Sequence, residues 1–214
     1  MSSGACPMKI SFPSVPVTNC DERPAGELPS LVVVHAISLP PDRFGGPGVE
    51  QLFTNRLDPA EHAYYATIHH LRVSAHYFIR RDGELVCFVP PERRAWHAGV
   101  SSWRGRERCN DFSIGIELEG CDSLPFEDAQ YETLAALLAE LCARFPVAGV
   151  TGHSDIAPGR KTDPGPFFSW GRLRRMLLEA GRGDVAHLVE PDEGGLGGDP
   201  DRRRWPFPLS SRPL

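Results

Sequence analysis

The apolar run from Leu31 to Ala36, with the sequence LVVVHA, constrains the fold more than any other stretch of the chain. Its three consecutive valines favour a β-strand, because branched side chains pack well on a pleated surface. Since apolar residues occupy both alternating sets of positions, neither face of this strand suits water. The run therefore predicts a strand that is covered on both sides, as in an α/β domain.

Further elements follow along the chain. Residues 75–80 and 84–89 flank Arg81-Asp-Gly83, which indicates a hairpin because Asp-Gly suits turns that need a positive φ. Residues 113–118 alternate in character and predict another strand, and residues 149–152 predict a last short one. Helices are predicted over 49–55, 127–144 and 168–178. We therefore predict an α/β fold, a single domain with a central mixed β-sheet flanked by helices, in which the hairpin makes the sheet mixed.

Composition divides the chain into three parts. Residues 1–30 are rich in turn-forming residues and are expected to wrap the surface of the domain. Residues 31–180 contain all the predicted strands and helices and are expected to form the folded domain. Residues 181–214 are rich in glycine, proline and charge, a composition that cannot bury a core of its own.

Charge and hydropathy argue against several classes of function. The net charge of the 214 residues is −5, and no basic stripe with interleaved aromatic residues suggests nucleic-acid binding. No segment approaches the roughly 18 apolar residues of a membrane helix, and residues 1–17 lack the apolar stretch of a signal peptide. The six cysteines form no CxxC pair, which fits free thiols in a reducing compartment. We therefore expect a monomeric cytoplasmic protein that binds neither nucleic acid nor membrane.

The turn-rich segment from His153 to Pro166, HSDIAPGRKTDPGP, carries much of the candidate chemistry. Together with His35 at the end of the first strand, His153 and Asp163 form a three-ligand set that leaves a zinc ion one open position for water. Taken singly, each histidine is more often structural, and Asp163 suits the start of a turn. All three lie at a strand end or on the loop after one, where α/β sheets present ligands, and this favours a shared metal site.

Two further residues point to hydrolysis. Lys161 lies between the two downstream ligand candidates, and only Lys9 is also a lysine among the 23 basic residues. A compact charge beside the metal would explain Lys161, whereas the alternative is chance at a solvated turn. Glu117 lies opposite the isoleucines of strand 113–118, so on a central strand its carboxylate needs a partner or a role. A general base acting on water is such a role, while an edge strand would leave Glu117 solvated.

The chain closely resembles a known family through several stretches in the same order over roughly residues 20–178. They are VVHAISLPP from Val33, FGGP from Phe44, LRVSAH from Leu71, RAWHAGV from Arg94, GRERCNDFSIGIELEG from Gly105 and TGHSDIAP from Thr151. Together they resemble the AmpD family of cytoplasmic 1,6-anhydro-N-acetylmuramoyl-L-alanine amidases, within the zinc amidase and peptidoglycan-recognition superfamily.

The resemblance implies that the folded domain is a zinc amidase catalytic domain with one zinc ion per chain. Its substrates would be 1,6-anhydromuropeptides, cleaved between the lactyl group of anhydromuramic acid and the L-alanine of the stem peptide. His35, His153 and Asp163 would hold the zinc ion. Glu117 would take the proton of the attacking water, and Lys161 would stabilise the oxyanion. At the level of the family, such an enzyme would also influence β-lactamase induction indirectly.

Five more residues are candidate substrate contacts. The resemblance implies that Arg72 and Arg108 contact the substrate, and their forked guanidinium groups suit peptide carboxylates. It likewise implies that Tyr64 and Trp96 line the groove. His97 follows Trp96 in a glycine-flanked segment and is interpreted as part of the same pocket.

The chain departs from the family pattern in two places. Ala36 stands where the family usually carries asparagine, which predicts a change in tightness or selectivity toward the substrate and leaves the ligand set intact. The tail over residues 181–214 is longer than the family pattern and receives no role.

Three alternatives compete with this hypothesis. The same fold serves as a peptidoglycan-binding module without catalysis, but such proteins typically lose a zinc ligand, and all three candidates are present here. A periplasmic amidase acting on intact murein would need an export signal. A zinc-stabilised scaffold would require neither Lys161 nor Glu117.

Overall fold

A mixed β-sheet of six strands forms the centre of the computed structural model, which describes residues 9–190. The strands in chain order are β1 (Ile10–Ser11), β2 (Cys20–Glu22), β3 (Leu31–Ile37), β4 (Tyr77–Ile79), β5 (Leu85–Cys87), β6 (Arg93–Ala95), β7 (Ser102–Trp103), β8 (Arg106–Glu107), β9 (Ser113–Glu119) and β10 (Val150–Gly152). The α-helices are α1 (Gly48–Phe53), α2 (Ala63–Ile68), α3 (Asp128–Arg144), α4 (His153–Ile156), α5 (Trp170–Glu179) and α6 (Gly183–Ala186), and a 3-10 turn spans Cys109–Asp111.

The spatial order of the main sheet is β1-β5-β4-β9-β3-β10. Strand β3 pairs in parallel with β9 on one side and with β10 on the other. Strands β4 and β5 pair antiparallel across the turn at Gly83, which has a φ of +84°. The predicted α/β fold with a central mixed sheet and flanking helices is confirmed.

Strand β3 is covered on both sides, as its sequence predicts. Val32 and Val34 pack in the cluster that contains the leucines of α3, and Leu31 and Val33 pack in a second cluster with Ile156. All four of these β3 side chains are fully buried. Strand β3 is therefore a rigid central element on which a functional side chain can be held.

The two faces of strand β9 carry different kinds of residue. Ile114, Ile116 and Leu118 pack against α3, and the opposite face carries Gly115 and Glu117. The alternation in the sequence correctly predicts this division. One face of β9 thus stabilises the domain, and the other is available for the site.

The predicted helices over 49–55, 127–144 and 168–178 correspond to α1, α3 and α5. The sequence did not predict α2, α4, α6 or the short strands outside the centre of the sheet. Strand β2 pairs with β6, and β7 pairs with β8. These strands have two or three residues each, too few to show a period in the sequence.

The segments on either side of the predicted domain also take part in the fold. Within residues 1–30, expected to wrap the surface, β1 adds an edge strand to the main sheet beside β5. Within residues 181–214, expected to be a tail, α6 and Val189 pack in the core beside α3 and α5. Residues 1–8 and 191–214 lie outside the described part of the chain.

Two observations bear on the general class of the protein. Over residues 9–190, none of the helices combines the length and the apolar character needed to cross a bilayer. Five cysteines fall in the same range, and each is a free thiol, namely Cys20, Cys87, Cys109, Cys121 and Cys142.

Candidate metal centre and active site

Three neighbouring parallel strands bring the candidate residues to one place. His35 on β3 and Glu117 on β9 are register partners, so their side chains emerge next to each other. His153 directly follows β10, whose last residue, Gly152, pairs with Val34. Because the three strands run in the same direction, these side chains gather toward their carboxyl ends, where α/β sheets commonly place ligands.

His35, His153 and Asp163 converge with three potential ligand atoms. The Nδ1 atoms of His35 and His153 are 2.9 Å apart, and Oδ2 of Asp163 lies 3.0 Å from each of them. Ligand atoms at about 2.0–2.2 Å from one tetrahedral zinc ion are separated by roughly 3.3 Å. Two imidazole nitrogens and a carboxylate oxygen at this spacing fit a zinc ion closely.

The protonation of the cluster also suits a metal. Burial and the neighbouring His153 ring lower the pKa of His35 to about 4, so its imidazole is neutral near pH 7. Burial alone would raise the pKa of Asp163, but hydrogen bonds with His153 and His35 hold it below its ordinary value. Neutral imidazole and ionised carboxylate are the forms that bind metal ions. The cluster can therefore hold a metal ion.

The second nitrogen of each ligand histidine is also engaged. Nε2 of His153 lies 3.2 Å from the carbonyl oxygen of Ala98, which can only accept a hydrogen bond. In the neutral form whose proton lies on Nε2, His153 donates to this carbonyl and has the lone pair of Nδ1 available for a metal ion. Nε2 of His35 lies 2.9 Å from Nδ1 of His97.

Glu117 is buried beside this cluster, with 8% of its surface exposed. Among the described residues, its Oε2 atom is buried and has no hydrogen-bond partner. Burial and the negative charge of Asp163 raise the pKa of Glu117 well above its ordinary value, against an opposing effect of Lys161. A carboxyl group with a raised pKa and an unpaired oxygen is suited to exchanging protons with a bound molecule.

Lys161 is partly buried on the loop between His153 and Asp163. Its charge lowers the pKa of both His35 and Glu117. The loop is anchored at both ends, since the backbone nitrogen of Lys161 donates to Ala157 at 3.1 Å and that of Ser154 donates to Asp163 at 2.9 Å. The structure thus brings His35, His153 and Asp163 together, with Glu117 beside His35 on the next strand and Lys161 on the loop that joins His153 to Asp163.

The two predicted arginines are exposed. Arg108 forms an ion pair with Asp111 at 3.1 Å and lines an open groove of about 530 Å³. The groove is also lined by Val100 and Arg160, on the two segments that flank His153 in space. Arg72 donates to the carbonyl oxygen of His70 at 3.3 Å, within its own segment.

The predicted aromatic contacts have different surroundings. Tyr64 is partly buried at the start of α2 and packs against the cluster that contains Phe53 and Phe78. Trp96 donates its indole N–H to Asp21 at 3.2 Å. Both remain predictions as substrate contacts.

His97 is buried to a degree that the sequence did not indicate. It is 9% exposed, and its two ring nitrogens lie 2.9 Å from His35 Nε2 and 3.1 Å from Ser113 Oγ. Burial and the nearby rings of His35 and His76 hold its pKa well below the ordinary value. The sequence interpretation places His97 in the substrate pocket, but both of its ring nitrogens already have hydrogen-bond partners within the protein.

The sequence did not predict the roles of Ser113 and Arg160, which contact His97 and the carbonyl oxygen of Ala98 next to the cluster. Arg160 donates to the carbonyl oxygens of Ala98 at 2.9 Å and Val100 at 2.6 Å, and so joins the loop after α4 to the segment that orients His153. No local pattern marks either residue. The available signal was Gly115, because a glycine inside a strand often marks the close approach of another group.

A mixed central sheet flanked by helices, with two histidines and an aspartate that converge beside the ends of parallel strands, is the fold shared with solved amidase structures. The family model Amidase_2, described as N-acetylmuramoyl-L-alanine amidase, matches residues 25–166. The chain belongs to the N-acetylmuramoyl-L-alanine amidase family.

Within the family, the chain is 61% identical over 165 residues to the 1,6-anhydro-N-acetylmuramyl-L-alanine amidase AmpD of Citrobacter freundii, which covers 76% of this chain and 88% of the relative. A crystal structure of a selenomethionine AmpD derivative superimposes with a TM-score of 0.75 at 59% identity and covers 79% of this chain and 93% of that one. The amidase AmiD of E. coli, solved with anhydro-N-acetylmuramic acid-L-Ala-D-gamma-Glu-L-Lys, gives a TM-score of 0.52 at 32% identity, with coverage of 72% and 60%.

Proposed function

We propose that the chain is a zinc-dependent amidase that acts on 1,6-anhydromuropeptides in the cytoplasmic recycling of peptidoglycan. It hydrolyses the amide between the lactyl group of 1,6-anhydro-N-acetylmuramic acid and the L-alanine of the stem peptide. The convergence of His35, His153 and Asp163 beside the buried, unpartnered Glu117 carries the proposal. The 61% identity to an amidase named for this substrate supports it.

In this proposal His35, His153 and Asp163 hold the zinc ion. When bound, zinc supplies polarisation of the scissile carbonyl and lowers the pKa of a water molecule. Holding the metal on the rigid ends of strands fixes the reacting atoms in place, which reduces the entropic part of the barrier.

Glu117 moves the proton. Its buried carboxylate takes a proton from the attacking water as the new C–O bond forms. It then returns that proton to the leaving nitrogen of L-alanine as the C–N bond breaks, so the products are a free amine and a carboxylic acid that loses its proton to solvent. The raised pKa of Glu117 suits both steps, because it makes the carboxylate a stronger base toward water and stabilises the carboxylic acid that later donates the proton.

Lys161 offsets the negative charge that develops on the carbonyl oxygen. A preorganised donor of this kind contributes about 3–4 kcal/mol to stabilising the transition state. Arg108 on the groove wall and Arg72 are proposed to bind carboxylates of the stem peptide, with Tyr64 and Trp96 as aromatic contacts. The five free thiols support a reducing compartment as the place of action.

The substrate assignment is tested by incubating the zinc-loaded protein with anhydromuropeptides and, in parallel, with intact murein. We expect free stem peptide from the first substrate and none from the second, as measured by mass spectrometry. Release from both at similar rates would indicate an amidase that acts on the cell wall. Binding without cleavage of either would indicate a recognition module and contradict the proposal.

Replacement of Lys161 by alanine is expected to lower kcat for the anhydromuropeptide about 10²- to 10³-fold, as loss of one oxyanion-stabilising donor does. The Lys161→Arg variant keeps the charge on a larger, planar group and is expected to recover part of this loss. Lys9→Ala is the matched control, because Lys9 is exposed and pairs with Asp82. A kcat of Lys161→Ala within threefold of the wild-type value would remove Lys161 from the mechanism.

A further inference from the structure

We infer that His97 is a positioning residue, which fixes the orientation and tautomer of His35 through a hydrogen-bonded chain that ends on Ser113. The inference rests on the proposed function, since it concerns how the chain prepares His35 for a metal ion. It replaces the interpretation of His97 as a substrate contact.

The first link joins the two rings. His35 presents Nδ1 to the metal cluster, and a neutral imidazole with a free lone pair on Nδ1 carries its proton on Nε2. That Nε2 lies 2.9 Å from Nδ1 of His97, with the ring planes at 84° to each other. In this metal-binding form the Nε2–H of His35 points at the lone pair of His97 Nδ1 and donates to it.

The second link extends the chain from His97 to Ser113. If Nδ1 of His97 accepts, then its neutral ring carries the proton on Nε2, which lies 3.1 Å from Oγ of Ser113. Ser113 is fully buried, and its carbonyl oxygen accepts from the guanidinium of Arg23 at 2.8 Å. Because the Ser113 hydroxyl can accept as well as donate, it completes the chain in the form in which His35 leaves Nδ1 free for a metal ion.

The fold itself makes room for the His97 ring. A Cβ added to Gly115 on β9 would come within 2.4 Å of Cγ of His97, so only glycine at this position lets the ring lie against the strand. The backbone nitrogens of His97 and Ala98 both donate to Oδ1 of Asn110, at 3.1 and 2.8 Å. The ring is therefore placed by the protein before any substrate arrives.

The two ligand histidines are oriented by different means. The acceptor for His153 is the main-chain carbonyl of Ala98, which is present whatever side chain stands there. The acceptor for His35 is a side chain, so a substitution can remove it. Partners of this kind orient metal-bound histidines, and their loss typically costs 10- to 100-fold in metal affinity.

The direct test is nitrogen NMR of the zinc-loaded wild-type protein labelled with ¹⁵N. We expect His97 as the Nε2–H tautomer and a measurable coupling across the hydrogen bond between Nε2 of His35 and Nδ1 of His97. His97 observed as the Nδ1–H tautomer would overturn the inference, because that form cannot accept from His35.

The second test compares zinc affinities by competition with a chromophoric chelator. His97→Leu fills the space without an acceptor and is expected to weaken zinc binding 10- to 100-fold. His97→Asn can place its amide oxygen near the position of Nδ1 and is expected to recover much of the loss. Ser113→Ala removes the far end of the chain and is expected to fall between them. Circular dichroism checks that each variant is folded.

The outcomes separate this inference from the proposed function. A wild-type protein without affinity for zinc would contradict the proposed function itself. Zinc binding by the wild type and by folded His97→Leu within threefold of each other would overturn the positioning role alone. That role is likewise overturned if His97→Asn binds zinc no better than His97→Leu. If His97→Leu does not fold, the tautomer of His97 and the affinity of His97→Asn decide.

Discussion

A Glu117→Gln variant is expected to bind zinc with wild-type affinity and to hydrolyse the anhydromuropeptide about 10²- to 10⁴-fold more slowly, the usual contribution of a general acid–base residue. Glutamine keeps the shape of the side chain but can neither accept nor return the proton. Because Glu117 lies outside the His35, His153 and Asp163 set, the metal site should persist. Zinc content by atomic absorption, together with kcat, checks both halves of the expectation.

A pH series on the metal-free proteins supplies an independent control for this variant. Burial and Asp163 raise the pKa of Glu117 in the folded state, so the folded protein binds a proton that the unfolded chain has released. The stability contribution of this group is therefore present below its unfolded pKa and is lost as pH rises toward the folded pKa. Glutamine does not titrate, so the Glu117→Gln variant should lack this pH-dependent contribution to stability. As pH rises, the wild type should therefore lose stability relative to the variant. In the activity assay, a kcat of Glu117→Gln equal to that of the wild type would exclude Glu117 as the proton carrier.

Replacement of Asp163 by alanine is expected to abolish stoichiometric zinc binding and, with it, hydrolysis. Its Oδ2 lies 3.0 Å from both histidine nitrogens and supplies the negative charge of the cluster. Without it, two neutral imidazoles remain, which is one ligand fewer than a catalytic zinc site uses. The loss of zinc affinity should exceed the 10- to 100-fold loss that follows removal of a hydrogen-bond partner of a metal ligand.

Asp122→Ala is the matched control for this substitution. Asp122 is an exposed carboxylate near the same loop, where it accepts from Thr162 at 3.2 Å, but it is not in the ligand cluster. It should keep zinc binding near the wild-type level. Titration with zinc by calorimetry compares the two variants, and full zinc occupancy in Asp163→Ala would contradict the ligand assignment.

Much of this site could be predicted from the sequence, because its positions are tied to long elements with clear periods. The apolar run of β3 and the alternation of β9 place His35 and Glu117 on central strands, and parallel pairing then makes them register partners. The richness of residues 153–166 in glycine and proline predicts the loop that returns Asp163 to the strand ends.

The support behind the ligands could not be predicted in the same way. His97 lies 62 residues from His35 and 16 residues from Ser113, so no local period connects them. The segment that carries His97 is positioned by Asn110 and by short strands, whose pairing depends on tertiary contacts rather than on propensity. Gly115 marked a close approach, but the sequence does not reveal which ring approaches.

The carbonyl oxygen of Ala98 contacts both His153 and Arg160, and this affects which substitutions the site can tolerate. Because the main chain orients His153, replacements at the exposed groove residue Val100, which is 87% exposed, can reshape the groove without removing the acceptor of that ligand. The orientation of His35 is more sensitive to substitution, since it depends on the identity of His97, Ser113 and Gly115. In the proposed enzyme, substitutions in the groove near His153 are therefore expected to be better tolerated by the metal site than substitutions of His97, Ser113 or Gly115.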